Sequence, residues 1–138
     1  MRACFLCSFG FGRHKGTSAE KTCGTVFDGY GGTLAHAFYP EDGRIHFDES
    51  EKFTLNSGSG TNLLWVAVHE IGHVLGLDHT NVKGAIMHPI YSDDIQEVKL
   101  HSDDIAGMQY LYGKTSFCHF FNYLSFLFAA QKKLSKIS

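Results

Sequence analysis

Residues 69–79 read H-E-I-G-H-V-L-G-L-D-H. They sit at the end of a run, Leu63 to Leu75, that is otherwise almost wholly apolar. Leu64, Val68, Ile71 and Leu75 recur at helical spacing. Leu63, Ala67 and Val74 add apolar groups on other sides, so the pattern predicts a helix buried nearly all round. Polar side chains inside such a helix need a reason, because burying them unpaired is costly. His69 and His73 are four apart and present their rings to one side. Both can then reach one ion at about 2.0–2.1 Å. Gly76 tolerates the positive φ of a helix end. A chain reversal there brings His79 within range as a third ligand. Three histidines leave one position of a tetrahedral zinc open, which is the catalytic arrangement rather than the closed structural one. Glu70 lies beside such an ion and not on it. There it can take a proton from an attacking water and return it to a leaving amine, while the metal acidifies that water and polarises a carbonyl. The five residues H-E-x-x-H also arise by chance, but the form extended by Gly76 and His79 is far more specific. Three histidines bonded only to local groups would leave the buried Glu70 unexplained.

Length and composition set the frame. The chain has 138 residues, which suits one domain with a modest core. Net charge is −2 with no basic block, so nucleic acid and anionic membrane are not expected partners. Nine histidines are present, and histidine is the commonest metal ligand. Cys4 and Cys7 form a lone C-x-x-C with no second copy, which does not support a zinc ribbon. With Cys23 and Cys118 they could form two disulfides or stay reduced, and both alternatives remain open. The start is only faintly like a signal peptide, because its apolar stretch is short and broken by Ser8 and Gly10. A buried strand is the preferred reading there.

Outward from the motif, residues 12–32 are rich in Gly, Thr, Ser and Lys and read as loop. Leu34 to Tyr39 reads as a strand ended by Pro40, and Ile45 to Phe47 as a second. Residues 56–60 are loop, and 80–100 are irregular. Ser102-Asp103-Asp104 looks like a helix start. Ile105, Met108 and Leu111 give it an apolar face as far as Tyr112, and Gly113 closes it. The tail from Lys114 holds five phenylalanines between Phe117 and Ala130. That stretch is short of the roughly 20 residues a membrane span needs, so a helix packed on the domain, or a segment foreign to the fold, is expected instead.

The complete pattern, H-E-x-x-H-x-x-G-x-x-H followed by Met87 within Ala85-Ile86-Met87-His88-Pro89, resembles the matrix metalloproteinases, the matrixin subfamily of the metzincins. F-D-G-Y-G-G-T-L-A-H-A-F (Phe27–Phe38), H-F-D-E-S-E (His46–Glu51) and Leu100–Gly113 extend the resemblance over about Phe27 to Gly113. Leu63–Leu77 and the short link before His46 are most similar to the matrix metalloproteinase-21 subgroup.

The resemblance implies an α+β, zincin-like catalytic domain with a mixed, twisted sheet, an active-site helix and a C-terminal helix. It implies a zinc-dependent endopeptidase with zinc on His69, His73 and His79, Glu70 as general base, and Met87 as floor of the site. It implies a calcium site from Asp28, Gly29, Gly31, Thr33, Asp48 and Glu51, with oxygen ligands suited to that cation. His36 and His46 match two ligands of a second, structural zinc. Leu34 and Ala35 would border the cleft, where an extended polypeptide adds to the strand edge. Trp65, Pro89 and Tyr91 would line the pocket for the residue after the scissile bond, with Trp65 making it shallow; simple core packing is the other reading of Trp65. By resemblance the protein is extracellular, acts on matrix or secreted proteins, and is a monomer.

The departures matter. Lys21 and Cys23 stand where the family completes its structural zinc, although His14 and Cys23 could substitute. The shortened loop before His46 removes a further calcium site. Residues 1–26 are a divergent segment with too little room for the family's first strand, helix and second strand. The inhibitory segment with its cysteine switch is expected to be missing, and 114–138 form a tail of unknown role. The alternative reading is therefore a zinc-binding module or fragment with impaired catalysis.

Overall fold

The computed structural model describes residues 11–14, 26–55, 59–92 and 97–114. In chain order these form β1 (Phe11–His14), β2 (Ala35–Ala37), β3 (Ile45–Asp48), β4 (Phe53–Thr54), β5 (Thr61–Asn62), α1 (Leu63–Val74) and α2 (102–114). β3 is the central strand of a three-stranded sheet ordered β1-β3-β2. It pairs antiparallel with β2, His36 opposite His46, and parallel with β1, Gly12 opposite His46. The sheet is thus mixed, and among the described residues the outer edge of β2 has no neighbouring strand. β4 and β5 pair parallel as a separate two-stranded element. The architecture is α+β.

Two readings change. β1 lies largely within the stretch 12–32 taken as loop. Phe11-Gly12-Arg13-His14 carries no marked alternation, and its strand form comes from the ladder that β3 offers. It is one strand before Phe27, where the sequence had too little room for two strands and a helix. The strand expected over Leu34–Tyr39 pairs only at Ala35–Ala37. Beyond it the chain turns, with Asp42 and Gly43 amides donating to the Tyr39 carbonyl at 3.1 and 3.4 Å.

α1 begins where Asn62, in extended conformation, accepts from the Trp65 amide at 3.2 Å. Gly76 adopts a φ of 93°, and the Leu77 amide donates to the Gly72 carbonyl at 2.9 Å. This closes the helix and reverses the chain, as the glycine predicts. Trp65, Val66, Val68, Ile86 and Met87 form the buried core, with Leu34, Phe47, Leu77 and Leu100 packed around them. α1 therefore lies between the sheet and the segment containing Met87, and its burial on most sides matches its nearly uniform apolar sequence. Gly72 is small for a reason of packing, since a methyl there would overlap the Met87 sulfur. α2 docks on the far end of α1, where Tyr112 donates its hydroxyl to the Leu75 carbonyl at 2.7 Å. The tail 114–138 falls almost entirely outside the described residues, as do Cys4, Cys7, Cys23 and Cys118.

Candidate metal centre and cleft

His69 and His73 leave α1 on one side, and the Gly76 reversal returns His79 to them. His79 Nε2 lies 3.2 Å from His69 Nε2 and 3.1 Å from His73 Nε2. Among the described residues this is the one trio of His, Cys, Asp or Glu whose ligand atoms all fall within 4.8 Å of one another. The other ring nitrogens fix the tautomers. His69 Nδ1 faces the Ile86 carbonyl at 2.6 Å, and His73 Nδ1 faces the Leu77 carbonyl at 2.8 Å. A carbonyl only accepts, so both Nδ1 atoms carry the proton and both Nε2 atoms present lone pairs. One proton on His79 satisfies at most one of them. Three convergent nitrogens with a surplus of lone pairs fit a cation. Tetrahedral coordination at about 2.0–2.1 Å sets ligand pairs roughly 3.3 Å apart, close to the spacing seen.

Electrostatics favour the neutral form of two of these rings, His69 and His79. Burial pushes His69 down to about 4, helped by the neighbouring His73 and His79. His79 is also lowered, by burial first and then by His73. Glu70 follows His69 on the helix, is 5% exposed, and is raised by burial to about 7. Its Oε2 has no hydrogen-bond partner among the described residues. Trp65 stacks on His69 with ring centres 5.3 Å apart, and Tyr91 meets the Trp65 edge at 5.2 Å. The Tyr91 hydroxyl accepts from the Asn62 amide at 2.9 Å, which ties that wall to the start of α1.

These groups open onto a cleft of about 860 Å³. It is lined by His69, Glu70, His73 and His79, and also by Leu34, Ala35, Trp65, Pro89 and Tyr91, the residues named from sequence as substrate contacts. Trp65 both lines the cleft and is 7% exposed, so its two readings are compatible. Met87 is buried, and its sulfur lies against Gly72 on the helix that carries the histidines.

The loop named for calcium is arranged differently from the histidine trio. Asp28 accepts from the Thr33 amide at 2.7 Å, Asp48 from Ser50 at 2.8 Å, and Glu51 from Gly31 at 2.6 Å. Gly29 and Gly31 both have positive φ, at 88° and 85°. Asp48 is 0% exposed, and its Oδ2 has no partner among the described residues. His36 Nε2 lies 3.0 Å from His46 Nδ1. The side chains of His14 and Cys23 lie outside the described residues.

Sequence reasoning missed Asp104 and Tyr39. Asp104, 3% exposed, accepts from the amides of Ile86 at 2.9 Å, Met87 at 3.0 Å and His101 at 2.8 Å. One carboxylate caps α2 and also holds the turn bearing Met87. Tyr39 donates its hydroxyl to Asp78 Oδ1 at 2.6 Å, and that bond, with burial, holds its phenol above the ordinary range. An acid in the first turn of a helix was the one signal for Asp104; for Tyr39 there was none.

A mixed sheet over a buried helix that presents histidines and a glutamate to an open cleft is the architecture of a metzincin catalytic domain. Comparison with known proteins narrows this. The family model for Matrixin matches residues 8–113, and the chain belongs to that family. It is 53% identical over 93 residues to the hatching enzyme of Paracentrotus lividus, covering 67% of this chain and 16% of that protein. It is 50% identical over 94 residues to matrix metalloproteinase-19 of Homo sapiens, covering 68% and 18%. It is 51% identical over 94 residues to human matrilysin, covering 65% and 35%. The chain thus spans about a third or less of the length of these relatives.

Proposed function

We propose that this chain is a zinc metalloendopeptidase that cuts extended polypeptides, with extracellular matrix or secreted proteins as substrates and an extracellular site of action. One observation carries the reading: three imidazole nitrogens converge beside a buried carboxylate oxygen that has no partner among the described residues. His69, His73 and His79 would hold the zinc. When bound, zinc polarises the scissile carbonyl and makes water acidic enough to attack at neutral pH. Glu70 takes the proton from the attacking water on its free Oε2 and passes it to the leaving amide nitrogen. Burial that lifts Glu70 toward neutrality suits a group that must both accept and release a proton. The free edge of β2 receives the substrate backbone as an added strand. The Ile86 and Leu77 carbonyls keep the ligand rings oriented.

We assign calcium to the loop of Asp28, Gly29, Gly31 and Thr33 with Asp48 and Glu51. A hard cation there answers the otherwise unmatched Asp48 Oδ2. The pair His36 and His46 supplies two nitrogens for a second zinc.

The test is cleavage of a mixed peptide library by the full chain with zinc and calcium. Cutting is expected to stop when a chelator strips zinc and to return when zinc is restored. A chain that retains zinc and cuts nothing would make this a metal-binding module instead. The same library reads the pocket. Trp65→Leu is expected to admit bulky side chains after the scissile bond that the parent rejects, since it removes the ring between His69 and Tyr91. An unchanged profile would return Trp65 to a packing role alone.

A further inference from the structure

We propose that Tyr39 is a positioning residue for the metal centre, strapping the loop that carries His79 to the sheet. The inference rests on reading His69, His73 and His79 as metal ligands. His69 and His73 are oriented twice over, by the rigid helix and by a carbonyl on each Nδ1. His79 has neither support. It is exposed, it lies beyond the helix, and among the described residues no carbonyl accepts from its Nδ1. Its loop is held at one end by the Leu77 amide on Gly72 and at the other by the Thr80 amide on the Met87 carbonyl, both at 2.9 Å.

Tyr39 supplies what lies between. Its hydroxyl reaches Asp78, the residue next to the third ligand, at 2.6 Å. Its ring meets the His73 edge with centres 5.6 Å apart. One side chain therefore touches the second ligand and the neighbour of the third. The base of the strap is itself fixed. The Phe38 amide donates to the Arg44 carbonyl at 2.9 Å, Arg44 grips Asp42 at 2.6 and 2.7 Å, and its guanidinium lies 4.6 Å over the Phe38 ring. The compact turn 39–44 thus gives Tyr39 a stiff footing. Groups that orient a metal ligand from outside raise affinity by limiting the ligand's freedom once the ion leaves.

The experiment loads the full 138-residue chain with zinc and follows its transfer to an excess of chromophoric chelator. Tyr39→Phe keeps the ring and removes the hydroxyl. It is expected to speed zinc release about 3- to 10-fold, the range set by one partly exposed hydrogen bond. Asp78→Ala should match it, Asp78→Asn should stay near the parent because it keeps an acceptor oxygen, and the double variant Tyr39→Phe/Asp78→Ala should be no faster than either. In the metal-free chain, hydrogen exchange at the Leu77 amide should quicken in Tyr39→Phe. Parental release and exchange rates in Tyr39→Phe, or additive effects in the double variant, would overturn the proposal. Neither readout needs cleavage, so a chain that holds zinc and cuts nothing defeats the peptidase reading and leaves this one standing. If the chain holds no zinc, the metal-ligand reading fails and this proposal falls with it.

Discussion

Glu70→Gln is expected to lower the rate of peptide cleavage by about 10²- to 10⁴-fold, the usual contribution of a positioned proton-transfer group, while leaving zinc bound. Glutamine has the shape of glutamate but cannot accept and return the proton. The ligands are untouched, so metal content measured after dialysis should equal that of the parent. The substitution also has an effect without metal, and its sign follows from burial. Glu70 titrates at about 7 in the folded state against an ordinary value of 4.5. Between those values the folded protein holds a proton that the unfolded chain has released, so stability falls as pH rises across that window. The shift corresponds to a penalty of roughly 3 kcal/mol on the folded state, absent below pH 4.5 and fully present above pH 7. Glu70→Gln removes the penalty. The metal-free variant should therefore melt higher than the parent at pH 8 and no higher at pH 4. An active variant would dismiss Glu70 as the base, and equal melting at pH 8 would dismiss its buried charge as a cost.

Asp104→Ala carries the other large expectation. It strips the acceptor from three amides, those of Ile86, Met87 and His101. Hydrogen bonds to a charged group are worth more than neutral ones, and the orphaned amides at Ile86 and Met87 are buried. A loss of about 3–5 kcal/mol follows, against a total of about 5–15 kcal/mol for a typical domain. Urea unfolding of the zinc-loaded chain measures it. Ile86 also supplies the carbonyl that orients His69, so the variant should bind zinc more weakly wherever it still folds. A variant as stable as the parent would show that water replaces the carboxylate at no cost.

The histidine cluster was legible because its geometry is local. His69, Glu70 and His73 occupy one helix whose period fixes their sides, and Gly76 announces the reversal that recruits His79. The extent of α1 was legible for the same reason, because its apolar run ends at a glycine with nothing else to do. Asp104 was half legible. A carboxylate in a first helical turn signals a cap, but its second duty depends on where residues 86 and 87 arrive in space. Tyr39 and Asp78 carry no local pattern, since a tyrosine beside a proline and an aspartate beside a histidine are ordinary surface residues until the sheet meets the loop. The two-residue strands β4 and β5 are too short to leave a period, and β1 exists because β3 offers it a ladder.

That last pairing sets an order of assembly. Ala37 finds Ile45 across a tight turn, while Phe11 must find the same Ile45 from beyond the whole glycine-rich stretch that separates them. Closing the short turn restricts few residues; closing the long loop restricts many, and parallel pairing rewards it late. The hairpin of β2 and β3 and the helix α1 are local and can form within a chain still open at its front. The strand edge proposed to meet a substrate backbone thus belongs to the local pairing, and the strand on the opposite flank to the long-range one.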